Sequence, residues 1–465
     1  MRSIHWRRFA AAAITMLAMA TTTSLASAAV PYEFVPGAQT FTQSGPGANL
    51  AGGHPDVSLS FKMVTDPTVG VGRAPQAPRT ATVTLPPGMV GDPGAAPVTC
   101  SLEDAIANES VYTTGLCPRG AAVGIATVDA TYPSGSLLPT QQRRLWRVGT
   151  GPNEVVAFAT SIIATPIRIG VSVSPSGGYQ VKATSDNISQ SAYVRGFTIT
   201  LWGVPADHQG LGSECDGYVI AGAKYCLNYK PMSDPAVPAA MRFGGPLGST
   251  RRAFMTNPST CGPSLDANLR LVPYGTVHQP IEETMSAGTL TGCENQPFEP
   301  SMDVTPATKE AAQPSGYVVG IDVPQNMDPD GVATAQVKDV SVTLPRGVAI
   351  SPPSANGLDA CSDAQFELKG DNPVACPDAS KLGTLRIETP VLEEPVSGFA
   401  YLGAQLSNDP ASGEMYRLFL VAKTSGVLVK LQGQVKADPV TGQLTTTFRD
   451  NPQLPFERIE LRLDG

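Results

Sequence analysis

The chain is poor in charge and in histidine. Charged residues make up 15% of its 465 residues, only four are histidine, and the G-x-S-x-G pattern of a nucleophile elbow does not occur. A serine hydrolase is disfavoured without that pattern and with so few bases. The sequence therefore predicts no catalytic residue, no cofactor-binding residue and no metal ligand.

The acidic balance narrows the classes of partner. The formal net charge is −8 at pH 7. Nucleic acids and anionic membrane surfaces recruit basic patches, which release counterions or contact phosphates. We therefore expect no nucleic-acid partner, and the predicted partner is a protein or a glycan at the cell exterior.

The first 28 residues have the features of a signal peptide. Arg2, Arg7 and Arg8 precede a short apolar run, and small residues at 26–28 suit signal peptidase. The alternative is a membrane anchor, but the run is too short to span a bilayer comfortably, and no later stretch is typical of a span. We expect cleavage after Ala28, a mature net charge of −11, and a protein that is secreted or held at the cell surface.

The chain contains eight cysteines, and none occurs in a C-x-x-C pair or close to a histidine. Structural zinc sites use such pairs, so disulfides are favoured over a metal site. Together with an export signal, the cysteines predict an oxidising compartment.

One motif occurs twice: an alternating strand that ends in proline, then two cysteines, then a glycine that begins the next strand. Leu85 and Leu344 lie 259 residues apart, and so do Cys117 and Cys376. Such self-similarity indicates a duplicated structural unit and leaves the activity open.

Turn-bounded runs with the two-residue period of β-strands fill both copies. About eight such runs per copy predict an all-β protein with two tandem β-sandwich modules, immunoglobulin-like in outline. The predicted divisions are a signal peptide at 1–28, a first module at 29–203, a cysteine-containing connector at 204–295, and a second module at 296–465.

Equivalent cysteines of a duplicated module should pair alike, and the remaining four then close two short loops in the connector. A loop of this size contributes about 3 kcal/mol by restricting the unfolded chain. The predicted disulfides are Cys100–Cys117, Cys361–Cys376, Cys215–Cys226 and Cys261–Cys293.

Five segments stand out as specific motifs. They are residues 82–88 (TVTLPPG), 254–262 (FMTNPSTCG), 355–361 (ANGLDAC), 376–383 (CPDASKLG) and 441–448 (TGQLTTTF). Together they resemble a family of long secreted bacterial proteins with repeated cysteine-containing β-modules. That family carries no assigned activity, so the resemblance implies no catalytic residue.

Two polar clusters that could carry chemistry have simpler interpretations. His54, Asp56 and Ser58 are close in sequence, but neighbouring strand residues point to opposite faces, which favours a loop histidine over a catalytic triad. Glu393 and Glu394 precede a proline, which favours a turn over the carboxylate pair of a glycosidase.

Two further candidates are an acidic turn and the tryptophans. Asp328 and Asp330 have calcium-loop spacing without a distal glutamate, so a plain turn is favoured. Trp146 and Trp202 could line a sugar platform, but core positions are commoner for aromatic side chains in strands. The predicted function is a secreted or cell-surface structural or interaction protein without catalytic activity. The alternative is a carbohydrate-binding module or glycoside hydrolase acting at the cell exterior.

Overall fold

The computed structural model describes residues 30–107, 117–138, 141–162, 165–209, 219–220, 223–224, 251–348, 359–407 and 409–464. Within these ranges the fold is all-β, as the alternating runs predict, with 24 strands and three short α-helices. The helices are α1 (Leu102–Ala107), α2 (Pro205–Gln209) and α3 (Asp363–Phe366).

Eleven of the first fifteen strands form one antiparallel sheet. In chain order these fifteen strands are β1 (Thr40–Ser44), β2 (Asp56–Lys62), β3 (Pro78–Thr84), β4 (Val90–Gly91), β5 (Ala122–Thr131), β6 (Gln141–Val148), β7 (Val156–Ile162), β8 (Thr165–Ser172), β9 (Lys182–Ser185), β10 (Tyr193–Leu201), β11 (Val219–Ile220), β12 (Ala223–Lys224), β13 (Met255–Thr256), β14 (Ser264–Pro273) and β15 (Ile281–Thr289). The sheet has the order β1-β2-β10-β5-β6-β7-β8-β9-β3-β14-β15, and β4 with β13 and β11 with β12 form separate short pairs.

The hairpin β14–β15 nearly closes this sheet into a barrel. β14 pairs with the outer edge of β3, and β15 lies against β1 at the opposite edge. Next to these strands, Ala51 N donates to Thr291 O and Thr291 N donates to Asn49 O, each at 2.9 Å. Residues 264–289 of the predicted connector thus complete the first sheet, which we call the near-barrel.

The other nine strands form a second antiparallel sheet. They are β16 (Ser301–Pro306), β17 (Tyr317–Asp322), β18 (Val340–Thr343), β19 (Lys381–Glu388), β20 (Val396–Gly403), β21 (Glu414–Thr424), β22 (Val427–Ala437), β23 (Leu444–Phe448) and β24 (Arg458–Leu463). Their order is β16-β17-β24-β19-β20-β21-β22-β23-β18. Strand for strand this matches β1-β2-β10-β5-β6-β7-β8-β9-β3. Among the described residues no hairpin follows β18 in the sheet, so the second sheet is a half-barrel with β16 and β18 at its edges.

The prediction of two immunoglobulin-like sandwiches is wrong. A sandwich divides its strands between two stacked sheets, whereas eleven strands of the first unit and all nine described strands of the second are each hydrogen-bonded into one continuous sheet. Alternation along a strand records only that one of its faces is buried, and that holds for a sandwich and for a barrel alike. The period of the sequence therefore could not separate the two architectures.

Three disulfides join cysteines in the pairs that the spacing predicts. They are Cys100–Cys117, Cys261–Cys293 and Cys361–Cys376. The fourth predicted pair, Cys215–Cys226, lies outside the described residues. The Cys261–Cys293 bond closes the base of the β14–β15 hairpin, because its two cysteines lie just before β14 and just after β15.

The cysteines of the other two disulfides belong to small hydrophobic cores on the outer faces of the sheets. In the near-barrel, Cys100 packs with the buried Trp146 and Trp202. In the half-barrel, Cys361 packs with Phe366 and Phe419, whose rings stack at 4.3 Å between centroids. Each sheet is therefore buried on parts of both faces.

The near-barrel covers part of one edge of β22 in the half-barrel. Val173 N donates to Gly426 O (2.9 Å), and Leu428 N donates to Val173 O (3.2 Å). Tyr179 Oη donates to Lys430 O (2.6 Å) and accepts from Lys430 N (3.1 Å). On the half-barrel side all these bonds involve backbone atoms, and on the near-barrel side they involve the backbone of Val173 and the side chain of Tyr179.

Candidate functional site

An apolar cavity of about 360 Å³ extends from the near-barrel into the half-barrel. Among the described residues that line it, none is titratable, and the polar ones are Ser185, Thr389 and Asn451. Burying polar or charged groups against such a wall costs free energy unless they find partners. The cavity suits an apolar group, and its described lining holds no acid or base that could activate the Ser185 or Thr389 hydroxyl.

In the half-barrel the cavity opens into a trough, which we define by Val319, Ile321, Val342, Leu431 and Leu461. All five line the cavity and are partly exposed. They come from β17, β18, β22 and β24, where alternation turns every second side chain to the same face. The trough is thus the inner face of the half-barrel, left partly open to solvent.

Some of the corresponding positions of the near-barrel are buried, although Val83 and Ile199, the counterparts of Val342 and Leu461, are partly exposed as well. Phe41 and Leu59 form a cross-strand pair there and are 2% and 4% exposed. By strand order and register their counterparts are Val304 and Val319, which also pair, but Val304 is 47% exposed and Val319 is half-buried. Directly opposite residues share a face. Val304 therefore extends the apolar trough to the edge of the sheet.

The histidine cluster does not assemble into a triad. His54 is buried, burial lowers its pKa, and its Nδ1 lies 3.2 Å from Met255 O. Ser58 Oγ is hydrogen-bonded to Thr200 Oγ1 (2.8 Å) instead of to a base. The structure therefore places His54 and Ser58 in separate hydrogen-bonding environments.

Asp56 pairs with a histidine distant in sequence. Its Oδ1 lies 3.0 Å from His208 Nε2 and accepts from Gly203 N at 2.7 Å. The His208 ring stacks on Trp202 with 5.0 Å between centroids. This arrangement fixes α2, which carries His208, against the start of β2, and we assign it a structural role.

The acidic candidates form turns. Glu393 and Glu394 are exposed just before β20. Asp330 N donates to Asp328 Oδ1 (3.0 Å), and the Asp330 carboxylate binds Arg251, which lowers the pKa of Asp330. In the part of the chain that the structure describes, no three His, Cys, Asp or Glu side chains are grouped to hold a metal ion.

The tryptophans belong to the core. Trp146 and Trp202 are 4% and 2% exposed and pack in one cluster with Cys100 and Cys117. Neither presents a ring to solvent, so neither can serve as a sugar platform in this conformation.

Comparison of the chain with protein families, with curated proteins and with solved structures found no match. Among the described residues, no helix is long and apolar enough to span a bilayer.

The trough residues were not predicted as a site from the sequence. Their alternation marks them as facing inward, in the same way as the buried residues of the near-barrel. Among the described residues, no strand of the half-barrel stands where β14 stands in the near-barrel, and this difference emerges only when the two strand orders are compared.

Proposed function

We propose that this protein is a non-catalytic interaction protein of an oxidising compartment outside the cytoplasm, and that the trough is its binding surface. The proposal is supported by the difference in exposure between Val304 and Val319 of the half-barrel and their buried counterparts Phe41 and Leu59 in the near-barrel. Apolar side chains left exposed at positions that a related sheet buries are typical of an interaction site.

The chemistry of the cavity supports binding without catalysis. Its described lining holds no acid or base, and the clusters with catalytic residue types lie elsewhere in structural roles. Three disulfides indicate an oxidising, extracellular type of environment. Secretion after Ala28 is part of the same proposal. The carbohydrate alternative is weaker, because the two candidate platform residues are buried.

The trough should bind an apolar fluorophore, and Val319→Thr should weaken that binding about fivefold. The substitution places a hydroxyl without a partner in an apolar contact, which costs about 1 kcal/mol. The measurement is a fluorescence titration of the oxidised protein with 1-anilinonaphthalene-8-sulfonate. Val318→Thr is the matched control, because Val318 is the next residue of β17 and lies on the opposite face. Absence of saturable binding to the unmodified protein, or equal loss in both variants, would contradict the proposed function.

A further inference from the structure

We infer that the near-barrel holds one linear acyl chain in its lumen, which we define by Ala81, Val83, Ile169, Ala183 and Ser185. These residues lie on β3, β8 and β9 and line the part of the cavity inside the near-barrel. None of them belongs to the trough, so the inference goes beyond the proposed function. The wall around the lumen is formed by the near-barrel itself, because β14 pairs with β3 and β15 lies against β1.

The number of strands makes the near-barrel wide. A barrel of about eight strands is just wide enough for its side chains to fill or for one small ligand, and the diameter grows with the number of strands. The sheet of the near-barrel has eleven strands. A hollow inside it is therefore expected, and the cavity of about 360 Å³ extends from there.

Small side chains on neighbouring strands leave this hollow unfilled. Ala81 lies opposite Ser185, and Ala183 lies opposite Val83. Ala81, Val83 and Ala183 are partly exposed although they line the inside of the near-barrel. Protein interiors are normally packed without large voids. An inward side chain can be partly exposed only where an unfilled space lies beside it, so the lumen has room for a ligand.

The lumen is long and narrow. Four residues that line the cavity occupy every second position along β8 and just beyond its end: Ile167, Ile169, Val171 and Val173. By the strand rise of about 3.3 Å per residue, they span about 20 Å. A round cavity of about 360 Å³ would fall well short of that length. The shape therefore suits a linear chain better than a compact ring system.

The wall of the lumen disfavours polar occupants. β3 is hydrogen-bonded to β9 and to β14, and β9 is hydrogen-bonded to β8 and to β3. The backbone groups of the wall are thus used within the sheet, and among the described near-barrel residues that line the cavity only Ser185 has a polar side chain. A peptide or a sugar would lose its hydrogen bonds to water there without gaining partners. An acyl chain has no such groups, and every CH₂ that it buries favours binding.

The experiment is calorimetric titration of the full oxidised protein with decanoate, dodecanoate and tetradecanoate. We expect saturable 1:1 binding that becomes about fourfold tighter for each added CH₂, because each one buries further apolar surface against the wall. Affinities that do not rise along the series, or no binding of any alkanoate, would overturn the inference.

Two pairs of variants locate the chain in the lumen. Ala183→Phe places a ring in the lumen and should weaken dodecanoate binding at least about tenfold, whereas Thr184→Phe adds the same ring on the opposite face of β9 and should not. Ala81→Leu is a smaller substitution on β3 that should act in the same direction, and its control is Thr82→Leu on the opposite face. It replaces Ala183→Phe if circular dichroism shows that variant to be unfolded. Dodecanoate binding that tolerates the lumen substitutions would overturn the inference.

The trough variant separates this inference from the proposed function. Dodecanoate binding that is weakened by Val319→Thr but not by Ala183→Phe would place the chain in the trough, which overturns the inference and leaves the proposed function standing. If the apolar fluorophore binds and no alkanoate does, the inference alone fails. If dodecanoate binding is lost in Ala183→Phe and the fluorophore does not bind, the inference stands and the proposed function fails.

A lipid-transfer experiment identifies the source of the chain. The protein is incubated with phosphatidylcholine vesicles and separated from them, and its organic extract is analysed by mass spectrometry. Phospholipid that is carried by the unmodified protein and not by Ala183→Phe would support the inference with a diacyl lipid as the source. Alkanoate binding without phospholipid transfer would support it with a free fatty acid as the source. Equal phospholipid transfer by both proteins, with no alkanoate binding, would overturn it.

Discussion

Gly383→Ala is expected to lower the free energy of unfolding of the half-barrel by about 3 kcal/mol. A Cβ at Gly383 would lie far inside van der Waals contact with Arg462 O, a backbone atom of β24. A backbone atom cannot rotate away as a flexible side chain can, so the strands must separate. The position is also where the register between β19 and β20 shifts, and the neighbouring pairing limits how far β19 can move.

The equivalent substitution in the near-barrel should behave alike. A Cβ at Gly124 would meet Thr200 O in the same way, and this explains why the repeated motif places glycine at both positions.

Denaturant unfolding followed by circular dichroism measures the stability of both variants. For Gly124→Ala the fluorescence of Trp146 and Trp202 reports the near-barrel directly. Gly149→Ala is the control, because nothing lies within 4 Å of its added Cβ, and it should change stability by less than about 0.5 kcal/mol. Equal stabilities of the Gly383→Ala and Gly149→Ala variants would refute the close approach of β19 to Arg462 O at Gly383.

Lys430→Met is expected to destabilise the half-barrel by about 3 kcal/mol. Lys430 is 1% exposed, and burial lowers its pKa. Its Nζ donates to the backbone oxygens of Phe366 (3.0 Å), Glu367 (3.0 Å) and Asn372 (2.9 Å). All three belong to the loop closed by Cys361–Cys376. Methionine would leave these acceptors without their shared donor, and the loop would lose its attachment to β22.

Lys436→Met provides the matched control for this effect. Lys436 lies on the same strand, its side chain is 53% exposed, and it lies 3.5 Å from Glu414. An exposed ion pair of this kind contributes little, so we expect a change below about 0.5 kcal/mol. Thermal unfolding of the two oxidised variants gives the comparison. A Lys430→Met protein as stable as Lys436→Met would mean that the ammonium ion does not hold the disulfide loop in place.

The sequence predicted the features that depend on local spacing. Alternation located the strands, and the equal intervals between Cys117 and Cys376 and between Leu85 and Leu344 indicated which cysteines correspond. The disulfides that the structure describes join those pairs. Such features depend only on the order of residues along one strand or loop. They can therefore be predicted without knowing which distant strands pair.

Features that depend on distant strands were not predictable in the same way. Residues 264–289 have the alternation of a hairpin, yet nothing local shows that β14 pairs with β3, about 185 residues earlier in the chain. Lys430 stands at an outward position of β22, where lysine normally meets solvent, and only the covering loop makes it buried. The trough was not predictable for the same reason. Val342 and Val83 lie in similar sequence motifs, and they differ in whether another strand pairs with the edge of their own strand.

Site-resolved hydrogen exchange tests most directly whether the half-barrel is open at β18. The outward amides of Ser341 and Thr343 have no strand beside them among the described residues, whereas those of Thr82 and Thr84 face β14. We expect exchange at Ser341 and Thr343 to be about 1,000-fold faster than at Thr82 and Thr84. Comparable protection at all four amides in the protein alone would show that the edge is already covered, and would contradict an open trough.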